Sequence, residues 1–116
     1  MDAWRAQPTP EALKFALDRV QERVGEMRER HQVLYDEAHG VWAKSTLADL
    51  RQAIDWLQWA RRLVLDEAAE KGSLTRRAAA EATGLDTSVI QRWSKSPLRA
   101  NPDGSFGPAG HEREIR

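Results

Sequence analysis

The sequence has no cysteine, which excludes disulfide staples and thiolate chemistry and fits an intracellular setting. Net charge is also absent: 18 Lys and Arg balance 18 Asp and Glu. That balance argues against a protein that coats nucleic acid or membranes by bulk attraction. No apolar run approaches the roughly twenty residues needed to span a bilayer, and Met1–Pro10 does not read as a signal peptide. A soluble, cytoplasmic chain without a membrane partner is the expectation. β-Branched residues are few, whereas alanine, glutamate and arginine abound, so the composition favours helix throughout. At 116 residues the chain suits one domain, or one small domain with an extension.

The N-terminal two-thirds, residues 1–72, read as a long antiparallel helical hairpin of coiled-coil type. Thr9-Pro10-Glu11 is a helix start, with a capping hydroxyl, proline in the first turn and a carboxylate at the positive end of the dipole. Leu13, Leu17, Val20, Val24, Met27, His31, Leu34, Ala38 and Val41 then alternate by four and three residues, a heptad seam. Gly40 is the expected stop, and Ser45 or Thr46 the expected cap of a second helix that ends at Gly72. On that helix Leu47, Leu50, Ile54, Leu57, Val64 and Ala68 continue a seam, interrupted by Arg61. Trp56, Trp59 and Leu63 add apolar surface on another side, more than one partner helix can cover. The seam is assigned to the hairpin, and Trp56, Trp59 and Leu63 to a partner interface. A parallel pair of first helices would set Arg23 against Arg28 of the other copy, so a homodimer through the tryptophan face is expected.

Residues 73–96 carry the clearest motif, Thr75 to Trp93, TRRAAAEATGLDTSVIQRW. Thr75 can cap a first short helix, Gly84 suits a turn at positive φ, and Asp86 can cap a second helix. Leu85 can plug the corner, Val89, Ile90 and Trp93 give the second helix an apolar side, and Ala79 or Ala80 permits a close crossing. The stretch resembles the helix-turn-helix of bacterial and phage transcription regulators, resolvases and sigma-factor promoter-reading domains. Ala80, Gly84, Ile90 and Trp93 fall at that family's alanine, turn-glycine and core positions.

The resemblance implies sequence-specific binding of double-stranded DNA and a role in transcription regulation, with helix 86–94 in the major groove. Its outward residues are Thr87, Ser88, Gln91 and Arg92, with Lys95 just beyond. Gln pairs with the adenine N6/N7 edge and Arg with guanine O6/N7. Thr87 and Ser88 suit phosphates or base edges, and Arg76, Arg77 and Lys95 suit phosphates. The region holds four basic residues against two acidic ones, while residues 1–72 hold eleven against thirteen. So weak a patch implies modest affinity per copy, and hence two copies on one site. The competing reading is a protein–protein interaction module, or a component of a larger nucleoprotein complex, whose helix-turn-helix only packs.

Other motifs carry less. Asp36-Glu37-Ala38-His39 spells a helicase signature, but the chain has no phosphate-cradling glycine loop, so it stands as coincidence. Asp36 and His39, one turn apart, offer two ligands where a metal needs three or four. His31 at a seam position reads as a partly buried polar contact. No serine–histidine or carboxylate pair is placed for catalysis, so the chain reads as non-enzymatic, without metal or cofactor. Residues 97–116, with Pro97, Pro102, Pro108, Gly104, Gly107 and Gly110, read as a flexible tail in which Phe106 could dock on a partner, and Trp4 could cover the end of the bundle.

Overall fold

The computed structural model describes residues 9–95 and Gly107, leaving out the side chains of residues 31–33. Expectations for Trp4, the side chain of His31, Phe106 and most of the tail lie outside these residues. The fold is all-α. Helix α1 spans Thr9–Glu37, α2 His39–Lys71, α3 Arg76–Thr83 and α4 Thr87–Ser94. None of these helices is long and apolar enough to cross a membrane.

Helices α1 and α2 form the antiparallel hairpin, and its corner is tighter than the sequence suggested. Ala38 alone is non-helical, at φ −145° and ψ 65°. Its N–H still donates to the Leu34 carbonyl at 2.9 Å, and its carbonyl accepts from Trp42 N–H at 3.0 Å. Backbone pairing therefore continues through the bend, and no side-chain cap is used. Gly40 does not stop α1, and neither Ser45 nor Thr46 caps α2; all three lie inside α2. An aromatic cluster supports the corner instead. Tyr35, His39 and Trp42 stand with ring centroids 5.0–5.2 Å apart, the two tyrosine contacts edge-to-face.

On α1 the expected seam largely holds, with Leu13 and Val20 flanking the core and Val24, Met27 and Leu34 half-buried, while Leu17, and Val41 beyond the bend, are exposed. Helix α2, however, presents a different face from the expected one. The hairpin's core joins Ala12 and Ala16 of α1 to Trp56, Trp59, Ala60 and Leu63 of α2, flanked by Leu13, Phe15 and Val20. Trp56 is wholly buried, with Phe15 and Trp59 edge-on at 5.8 and 5.9 Å. Trp56, Trp59 and Leu63 are thus spent inside the chain and are not a free partner surface. The reason is size. A tryptophan removes about 150–250 Å² of surface from water, but only where its neighbour is small, and Ala12 and Ala16 supply that space. The expected seam residues Leu47, Leu50, Ile54, Leu57 and Val64 are left exposed.

Two further contacts fix the hairpin. Asp49, buried on α2, pairs with Arg30 of α1, which gives the buried carboxylate a countercharge. Gly107 is buried at φ +107° against Trp56, and a Cβ built there would lie 2.4 Å from Trp56 Cη2. The expectation of a loose tail fails at this position, because only glycine lets backbone approach the ring so closely. At the other end of α2, Gly72 adopts φ +63°, with N–H bonds from Gly72 and Ser73 to the Ala69 and Ala68 carbonyls.

Candidate nucleic-acid interface

Local chemistry builds the α3–α4 unit much as the sequence indicated. Thr75 is extended, and its Oγ1 accepts from Ala78 N–H at 3.0 Å. Gly84 turns the chain at φ +72°, and its N–H donates to the Ala80 carbonyl at 2.8 Å. Thr83 adds a clasp that the sequence reading missed. Its hydroxyl donates to the Ala79 carbonyl at 2.7 Å and accepts from Leu85 N–H at 3.2 Å. Asp86 then caps α4, accepting from Ser88 N–H at 2.9 Å. That amide, followed by the Ser88 hydroxyl, holds the Asp86 carboxyl below the usual carboxylate range against an opposing desolvation effect, with the Thr87 hydroxyl adding last. Ala79 is the buried small residue of α3, while Ala80 is half-buried.

Helix α4 divides cleanly between two faces. At 100° per residue, Val89, Ile90 and Trp93 share one side, and Thr87, Ser88, Gln91, Arg92 and Lys95 spread over an arc of roughly 140° on the other. The first three are half-buried and the other five exposed. Trp93 attaches the unit to the hairpin. The guanidinium carbons of Arg61 and Arg62 lie 5.6 and 5.1 Å from the centroid of its ring. In the sequence Arg61 reads only as a break in a seam; the one available signal was two adjacent charges, Arg61 and Arg62, set between the apolar Trp59-Ala60 and Leu63-Val64-Leu65.

The expected phosphate contacts part company. Arg77 is exposed and reaches Glu81 at 3.7 Å, an i,i+4 pair too exposed to hold it firmly. Arg76, also exposed, lies at the rim of a cavity of about 320 Å³ between α2 and the α3–α4 unit. Leu65, Leu74, Ala79, Ile90 and Trp93 form much of that cavity's apolar wall. Six of the seven expected residues, Arg77, Thr87, Ser88, Gln91, Arg92 and Lys95, thus stand clear of this cleft, and Arg76 borders it. No family model, curated protein or solved structure matches the chain.

Proposed function

We propose that the chain binds double-stranded DNA sequence-specifically, placing α4 in the major groove, and acts as a transcription regulator. One observation carries the reading: α4 commits its apolar side to the protein and leaves Thr87, Ser88, Gln91, Arg92 and Lys95 together on an exposed arc. Gln91 and Arg92 have the forked donors and acceptors that read adenine and guanine edges. Lys95 on the arc and exposed Arg77 on α3 offer positive charge for the backbone, whose contacts set register rather than sequence. Capping by Asp86 and Thr75 fixes both helices, so the arc is presented without further ordering.

The test is selection of duplexes from a randomised DNA pool at near-physiological salt, followed by titration of the enriched site. Enrichment of a motif is expected. Gln91→Ala with Arg92→Ala should weaken binding at least tenfold, since each good base contact contributes about 1–3 kcal/mol, and leave the melting temperature unchanged. No enrichment, or full binding by the double variant, would refute it. The apolar stripe left exposed on α2 favours a role in protein association as well.

A further inference from the structure

The largest unexplained surface is that stripe. Leu47, Leu50, Ile54, Leu57 and Val64 are 66, 41, 51, 46 and 44 % exposed. They follow the alternating three- and four-residue spacing of a coiled-coil seam, on the side of α2 turned from α1. We propose that this stripe pairs with the same stripe of a second copy, antiparallel, with the twofold axis between Ile54 and Leu57.

Three considerations select that occupant. The first is area. The five residues expose roughly 400 Å² per copy, so two copies supply about 800 Å². The stems of Arg51 and Gln58, both exposed alongside, carry the pair towards the ~1,000 Å² at which specific interfaces begin.

The second is charge. A parallel pairing stacks Arg61 on Arg61 of the other copy near the C-terminal end of the seam. The antiparallel register sets Leu47 on Val64, Leu50 on Arg61 and Ile54 on Leu57, and so moves the two Arg61 residues apart to opposite ends of the seam; Arg51 falls beside Gln58, next to the stem of the other copy's Arg61. Arg61 also has somewhere to go: its guanidinium lies over Trp93, leaving only its stem at the seam.

The third is geometry, and it rests on the DNA-binding reading. The α3–α4 unit meets α2 between Arg61 and Ala69. Its centre is some nine or ten residues from the proposed axis, which puts the two units roughly 30 Å apart along the helices. Half-sites one turn apart on DNA are separated by about 34–36 Å. Arg62, Leu65, Asp66 and Ala69 centre roughly a third of a circle around α2 from the stripe. A perpendicular twofold therefore brings both α3–α4 units to one face of the pair, as a single duplex requires.

Light scattering on the full chain at tens of micromolar, without DNA, tests the pairing. The expected mass is twice the 13.2 kDa of one chain. Ile54→Asp should halve the mass while circular dichroism stays helical. Because the protein lacks cysteine, orientation can be read by oxidation. Leu47→Cys mixed with Val64→Cys should cross-link, whereas Leu47→Cys alone should not. A wild-type mass of 13.2 kDa, or a cross-link by Leu47→Cys alone, would overturn the proposal. A dimer that selects no DNA motif sinks the DNA reading alone, and a monomer that selects one sinks this pairing alone.

Discussion

Which face of α2 meets α1 can be decided by two neighbouring truncations, Trp56→Ala and Leu57→Ala. Trp56 has no exposed surface and sits among Ala12, Ala16, Phe15 and Trp59, so its removal leaves a cavity that its neighbours fill only in part. Truncation of a buried tryptophan costs about 3–5 kcal/mol, against a total stability of about 5–15 kcal/mol for a domain. At roughly 4–8 °C per kcal/mol for a domain of this size, the melting temperature should fall by well over 10 °C. Leu57, 46 % exposed, should cost about 1 kcal/mol or less in dilute solution. Thermal melts followed by circular dichroism should be run on both variants over a hundredfold range of concentration. If α2 pairs with a second copy, Leu57→Ala gains a deficit that shrinks on dilution, because self-association stabilises by mass action. The Trp56→Ala deficit should persist at every concentration. Equal losses for the two variants in dilute solution would mean that α2 packs on α1 by its other face, and the assignment of the core would fail.

Two further predictions concern single atoms. Gly107→Ala should destabilise by about 1–3 kcal/mol, as overpacking does, because its methyl would stand 2.4 Å from Trp56 Cη2 and 2.7 Å from Cζ3; wild-type stability in a urea melt would refute the contact. The Asp86 carboxyl is held below its ordinary value in the folded unit, so the stability it contributes is present above about pH 4 and is lost as pH falls through the lowered folded value. The Ser88 amide resonance, followed by NMR during acid titration, should report this loss, and Asp86→Asn, which still caps but does not titrate, should remove it; an unchanged acid response in Asp86→Asn would refute the assignment.

The parts legible in the sequence were those decided within a few residues. Thr75, Gly84 and Asp86 act on their immediate neighbours, so caps and turn could be read before any tertiary contact was known. Gly72 ended α2 for the same reason. Gly40 misled because a glycine ends a helix only where the chain takes up positive φ, and here the break falls two residues earlier, at Ala38. The cluster of Tyr35, His39 and Trp42 that spans the bend at Ala38 is invisible to a rule about single residues. Arg76 and Arg77, adjacent in sequence, ended in different settings because α3 turns one towards the cleft and the other towards Glu81.

The exchange of faces on α2 has a more general cause. A heptad pattern states that a helix has a surface able to pack; it does not name the partner. Helix α2 carries two such surfaces, and a regular leucine seam looks like the stronger claim on α1. Complementarity of size decides otherwise. Ala12 and Ala16 lie one turn apart on α1, and Trp56, Trp59, Ala60 and Leu63 face them from α2, so large rings meet small side chains and close packing is reached. Opposite leucines, the same tryptophans would hold the helices apart. The alanines of α1, which a hydrophobic count treats as weak, were therefore the informative residues. The leucine seam they displaced is left on the outside, where a matching surface on a second copy can use it.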